Sequence, residues 1–265
     1  MSTKIEWTDK TWNPIVGCSK VSPACDHCYA ERMAARLAQN PHAPAAYQSV
    51  VQPGRPWTWN GKTALVESVL ETPLHWRKPC RVFVGSMTDL FHPSTPFEWI
   101  DKIIDIMFCS PHITYQILTK RPERMHDYIT HNMWLTNDPM EHVWFGVTVE
   151  NQEQADKRIP VLLDTPAALR FVSIEPMLEG INLNNGGMIN GLDWVICGGE
   201  TGPGARMMKA SWAHNLRDQC VAAGVPFFFK KWGSFPRIST DHQHIMEGKT
   251  WEQFPEENGG EVDND

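Results

Sequence analysis

Six short apolar runs, at residues 81–85, 113–118, 143–149, 169–174, 193–197 and 226–229, punctuate this sequence. Their hydrophobicity is nearly continuous rather than alternating, the pattern of parallel strands covered on both faces. Between them lie stretches with helical character at 96–108, 122–132, 151–163 and 211–223. Two of these open on proline, at Thr95-Pro96 and Arg121-Pro122, where a missing N–H costs the first turn nothing. A shorter strand at 11–16 and a helix over 29–39 precede the series. Repeated strand–helix units predict a parallel sheet, either a barrel or a doubly wound sheet. The expected fold is α/β, a partial (β/α)6 TIM-type barrel.

Residues 41–76 interrupt the pattern with Pro, Gly and Trp and read as an insertion or lid. No linker divides the remainder, so residues 1–246 are expected to form one barrel domain. The formal net charge of −7 is unevenly spread. Seven acids and one Lys fall between Glu247 and Asp265, leaving the rest at −1, so 247–265 reads as an acidic flexible tail. A near-neutral body neither requires nor excludes nucleic acid. No apolar run approaches the roughly 20 residues of a membrane span, and the first residues lack the apolar core of a secretory signal. A cytoplasmic protein without membrane contact is expected.

Polar residues gather at the carboxyl ends of five of these runs: Ser86, Thr88 and Asp89; Thr119, Lys120 and Arg121; Thr148 and Glu150; Ser173 and Glu175; Gly198, Gly199 and Glu200. Active sites of parallel α/β folds are built at that end of the sheet. The densest signal is Cys18-Ser19-Lys20-Val21-Ser22-Pro23-Ala24-Cys25-Asp26-His27-Cys28, three of the seven cysteines within eleven residues. Thiolates so close in sequence can converge on one metal centre, and both zinc and iron–sulfur clusters accept them. Zinc needs a fourth ligand, for which His27 is the neighbour at hand. A cluster on three Cys leaves one iron open. Cys80, Cys109, Cys197 and Cys220 are scattered and read as core thiols.

A three-cysteine loop after the first strand of a βα barrel resembles the radical S-adenosylmethionine (SAM) superfamily, with six and two intervening residues here where three and two are usual. Thr88-Asp89-Leu90-Phe91-His92-Pro93 resembles the Thr-Asp-aromatic-x-Pro element of the spore photoproduct lyase-like branch, and Leu118-Thr119-Lys120-Arg121 its Thr-Lys-Ser element. The chain is also similar to a phage-associated group of radical-SAM-like proteins. These likenesses imply a [4Fe-4S] cluster on Cys18, Cys25 and Cys28, with SAM bound at the open iron. They further imply reductive SAM cleavage to a 5′-deoxyadenosyl radical, and a flavodoxin- or ferredoxin-type reductant. Ser86, Thr88 and Asp89 would face the SAM amino group, Lys120 its carboxylate, and Thr148 and Glu150 its ribose. Glu175 would orient the site. Gly198, Gly199 and Glu200 open a glycine-rich loop running to Arg206, read as a substrate or SAM-adenine loop.

Lys120, Arg121, Arg124, Arg206, Lys230 and Lys231 all follow strands, and with Trp57, Trp59 and Trp232 they form a candidate surface for a nucleotide or nucleic-acid substrate. The alternative function is a non-catalytic, zinc- or cluster-stabilised nucleic-acid-binding protein.

Overall fold

The computed structural model describes residues 3, 5–54, 56–235 and 242–255. Its centre is a curled sheet of seven parallel strands: β1 (Lys10–Trp12), β2 (Cys80–Val84), β3 (Ile113–Thr119), β4 (Val143–Thr148), β5 (Leu169–Ile174), β6 (Trp194–Gly198) and β7 (Phe227–Lys231). Their order in the sheet is their order in the chain, with β1 and β7 at the two edges. The result resembles a barrel wound part of the way round, with seven strands rather than the six implied by six βα units. Helices α1 (Tyr29–Ala38), α2 (Phe97–Phe108), α3 (Pro122–His131), α4 (Gln152–Asp164) and α5 (Ala210–Ala223) follow β1, β2, β3, β4 and β6. The connection after β5 carries a 3-10 stretch, Asn185–Gly191, in place of an α-helix.

Side chains alternate between two cores, as strand geometry requires. Val82, Val84, Tyr115, Ile117, Phe145, Val147, Val172, Val195 and Phe227 join the inward faces of the helices. Phe83, Trp144, Leu169, Phe171, Trp194, Ile196 and Phe228 point to the opposite face and build a separate aromatic cluster with Trp7. Trp194 is its centre, fully buried, with Trp7, Trp144, Phe171, Phe228 and Phe254 ring centroids at 5.3–6.3 Å. On this face the aromatics occupy the first half of each strand. Continuing the same period of two reaches Thr148 and Glu150, Ser173 and Glu175, Gly198 and Glu200, and Lys230. The concave face thus changes from aromatic to polar along the strand direction.

The strand expected over 11–16 is divided at Asn13-Pro14. Lys10–Trp12 joins the sheet, and Ile15–Val16 turns away to pair antiparallel with Ala64–Leu65. Residues 41–76 form the helix Ala46–Val50, a hairpin pairing Val51–Gln52 with Thr58–Trp59, and short helical turns. Tyr47, Val50, Val51, Trp59 and Val66 pack with Ala30, Ala34 and Ala38 of α1 in a third core, against which Cys18 and Cys28 rest. Trp59 is buried there, which removes it from any exposed surface.

Residues 247–255, the first part of the expected acidic tail, pack on the body of the protein. Glu247 pairs with Arg217 at 2.5 Å, Trp251 accepts from the Phe229 amide at 2.7 Å, and Gln253 accepts from Trp194 Nε1 at 2.8 Å. Apolar Trp251 and Phe254 outweigh the surrounding acids and hold this segment on the sheet; 256–265 lies outside the described residues. Of the four scattered cysteines, Cys197 and Cys220 are buried, Cys80 is half-buried and Cys109 is exposed at the end of α2. No helix among the described residues is long and apolar enough to cross a membrane.

Gly146 makes the aromatic core possible, because a Cβ there would stand 2.7 Å from the Phe171 ring. Gly146→Ala should destabilise the fold by about 1–3 kcal/mol, the usual cost of overpacking. Urea unfolding measures this, and Phe171→Leu in the same chain should recover much of the loss.

Candidate functional site

The cysteine loop lies across the carboxyl ends of the strands and is held there by three buried carboxylates. Asp89 anchors its first part. One oxygen accepts from Thr119 Oγ1 at 2.6 Å and from the Phe91 amide at 3.1 Å. The other accepts from Arg121 Nη1 at 2.7 Å and from the Lys120 amide at 3.1 Å. Arg121 carries the connection onward, donating Nη2 to the Ser19 carbonyl at 3.0 Å and to its hydroxyl at 3.1 Å, with Nη1 3.9 Å from Cys18 Sγ. His92 Nε2 meets the same Ser19 hydroxyl at 2.8 Å.

Glu150 anchors the middle. It is fully buried, paired with Arg158 of α4 at 3.1 Å, and accepts from the Ala24 amide at 3.3 Å. Arg158 also donates to the Thr148 carbonyl at 2.7 Å. Glu200 anchors the last part. It accepts from Arg206 through Nε at 2.9 Å, Nη2 at 2.6 Å and the amide at 2.8 Å, and meets His27 Nδ1 at 3.0 Å. The same guanidinium reaches the Pro23 carbonyl at 2.8 Å and Asp26 at 3.2 Å.

This geometry gives several sequence-derived candidates different partners. Asp89, expected at a ligand amino group, has both oxygens occupied by protein donors. Glu150, expected at a ribose, is closed in by Arg158 and the loop, and Thr148 is buried beside Ser173. Ser86 donates to Asn13 Oδ1 at 3.0 Å, and Thr88 donates to the Gly17 carbonyl at 2.6 Å, so both tie the segment after β2 to the chain between β1 and the cysteine loop. Glu175 pairs with Lys230 at 2.5 Å. Gly198 sits against Lys230 and Glu175. A Cβ on Gly199 would stand 2.0 Å from the Trp232 carbonyl, so this glycine permits close approach of two backbones. Lys120 makes no side-chain hydrogen bond or ion pair among the described residues, yet its charge bears on Cys18.

The basic surface expected from sequence is largely consumed internally. Arg121 and Arg206 serve the carboxylates, Arg124 donates to the Thr95 carbonyl at 2.5 Å, and Lys231 pairs with Glu6 at 2.6 Å. Trp232 Nε1 donates to the Ile245 carbonyl at 2.8 Å. Sequence reasoning did not single out Asn13, His92 or Arg158. Their signal is faint: a polar residue at a strand end, and a charged residue at helical spacing with Ala155, Ile159 and Leu162.

Burial, reinforced by Asp89, pushes the Cys18 thiol up to about 11, while Arg121 and Lys120 pull in the opposite direction. Among the described residues no group of three or more His, Cys, Asp or Glu is gathered to hold a metal ion. Cys18, Cys25 and Cys28 are half-buried and free of disulfides. His27 is committed to Glu200 through Nδ1, and its Nε2 faces Gly204, whose Cβ would lie 3.3 Å away. The Ser22 hydroxyl, inside the loop, is buried with no partner.

Two acid transitions follow. Burial, with Arg121 adding to it, lowers His92 to about 4, below the unfolded value near 6.5. Neutral His92 therefore contributes stability that is complete above pH ~6.5 and lost as pH falls toward 4. Burial would raise Glu200, but hydrogen bonds from Arg206 and His27 outweigh it and hold the carboxyl at about 2. Its contribution is present above ~4.3 and lost as pH falls from there toward 2. Urea unfolding across pH 7 to 2 should show both losses, with His92→Gln removing the first and Glu200→Gln the second.

A family model described as "Protein of unknown function (DUF5131)" matches residues 2–255. No curated protein matches the chain. Among solved structures, a single-residue mutant of spore photoproduct lyase is similar at 11% sequence identity and a TM-score of 0.41. The match covers 76% of this chain and 58% of that one, so the chain spans under two thirds of that protein's length. With the family model spanning nearly the whole sequence, the chain belongs to the DUF5131 family.

Proposed function

We propose that Cys18, Cys25 and Cys28 hold a [4Fe-4S] cluster and that this chain is a radical SAM enzyme. The observation that carries the reading is the loop itself: three thiols, held over the carboxyl ends of a curled parallel sheet, with the neighbouring imidazoles bonded to Glu200 (His27) and to Ser19 and Ser94 (His92). Zinc would need a fourth ligand, and the His27 nitrogen not bonded to Glu200, Nε2, faces Gly204. A cluster accepts three thiolates and leaves an open iron, and the residues present fit it. The unpartnered Ser22 hydroxyl is a donor available inside the loop, and Arg121 and Lys120 set positive charge against Cys18. Because the thiols are not gathered in advance, loading draws them together.

When bound, such a cluster supplies one electron for reductive cleavage of SAM to methionine and a 5′-deoxyadenosyl radical, which takes hydrogen from the substrate. The protein's own residues have simpler tasks. Arg121 and Lys120 offset thiolate charge, and Lys120 is the cation left for the SAM carboxylate. Glu150 and Glu200 hold the loop backbone against displacement. The electron would come from a flavodoxin- or ferredoxin-type donor.

Anaerobically purified protein should be brown, contain about four iron and four sulfide per chain, and cleave SAM after dithionite reduction. Cys25→Ala should lose iron and cleavage, whereas His27→Gln should keep iron. Lys120→Ala should weaken SAM binding with iron unchanged. A colourless protein holding one zinc, or full iron retention in Cys25→Ala, overturns the reading.

A further inference from the structure

Apart from Lys120, the basic residues that follow the strands are tied up internally, but two arginines of α1 are unpaired among the described residues. Arg32 and Arg36 stand one turn apart on the exposed side of α1, and neither guanidinium has a hydrogen bond or ion pair among the described residues. With Ala35, Gln39, Pro56 and Trp57 they line a groove of about 420 Å³ between α1 and the segment at Pro56 and Trp57. No carboxylate lines it among the described residues. Glu31, the acid nearest in sequence, turns inward to Lys20 at 3.0 Å and to the Trp59 amide at 3.0 Å. Trp57 is half-buried, with part of its ring on the α1 core and part in the groove. At its other end the groove reaches the glycine-rich loop, since a Cβ on Gly202 would lie 2.5 Å from Arg32 Nη2.

Two unpaired guanidiniums beside an indole form a specific chemical combination. Guanidinium forks match phosphate oxygens, and an indole face offers stacking to any base. The groove is also the size of a small-ligand site. An acidic peptide would use the arginines but leave the indole without a flat partner. We propose that this groove binds single-stranded nucleic acid, with phosphates on Arg32 and Arg36 and a base on Trp57. Arg32 would carry the strand toward the glycine-rich loop at the mouth of the site. This binding does not depend on what the cysteine loop holds. The chain's overall negative charge works against adventitious polyanion binding, so the affinity must come from this local arrangement.

The test is fluorescence anisotropy of labelled single-stranded 12-mers, one DNA and one RNA, titrated with the full chain as purified and again after cluster reconstitution. Wild type should bind at least one of them, with log K falling against log salt at a slope of about −1.4, as for two neutralised phosphates. Arg32→Gln with Arg36→Gln should abolish most of that slope and weaken binding at least tenfold. Trp57→Leu should weaken binding about tenfold while leaving the slope in place. Arg36→Gln alone, at a side chain remote from Gly202, guards against indirect damage to the loop, and thermal unfolding checks that every variant folds. Absence of binding to both oligonucleotides overturns the proposal. So does unchanged affinity in the double arginine variant, or equal displacement by polyglutamate together with indifference to Trp57→Leu.

Discussion

The arrangement rests on hydrogen bonds between three strand-end carboxylates and one loop. Asp89, Glu150 and Glu200 follow β2, β4 and β6, and each holds a different part of the segment from Ser19 to His27. Each is buried at 0–6% exposure, where an unpaired carboxylate would be costly. Arg121, Arg158 and Arg206 remove that cost, and two of them extend the connection to loop carbonyls. The acids thus connect the rigid sheet to a cysteine segment that has no secondary structure beyond one 3-10 turn. A site used for positioning should be supported in this way from rigid elements.

The other structural investments serve the same end of the molecule. Residues 41–76 brace the loop from behind, packing on α1 so that Cys18 and Cys28 rest against an apolar surface. The aromatic cluster around Trp194 fills the opposite half of the sheet's concave face. Trp7, Trp144 and Trp194 therefore act as a plug, and only the polar half of that face is left for chemistry. The cavity among Ala168, Leu169, Asp193 and Pro226 lies at the amino ends of β5, β6 and β7, the far side from the cysteines.

Much of the frame is legible in the sequence because strands buried on both faces must be apolar almost throughout. Leu169–Ile174 is readable to the residue, and the ends of β3 and β4 to within one. The first strand is not, because pairing of Ile15–Val16 with Ala64–Leu65 is a tertiary choice across some fifty residues. The 247–255 segment misleads because composition counts its acids, while Trp251 and Phe254 hold it on the sheet. In the site, the cysteines announce themselves by spacing, and Glu150, Glu175 and Glu200 by their recurrence on one face. Their partners do not. Nothing local to Glu200 says that Arg206 will bridge it to Pro23, 183 residues away from that arginine. A cation near a strand end reads equally as a ligand-binding group or as the partner of a buried acid, and only three-dimensional distance separates the two.

Hydrogen exchange of the metal-free chain tests the support of the loop most directly. If the carboxylates hold the segment in place, peptides spanning 19–28 should exchange well below the free-chain rate. Glu150→Gln and Glu200→Gln should then speed exchange there while leaving the Trp194 strand protected. Free-chain exchange across 19–28 in the unsubstituted protein would contradict the account.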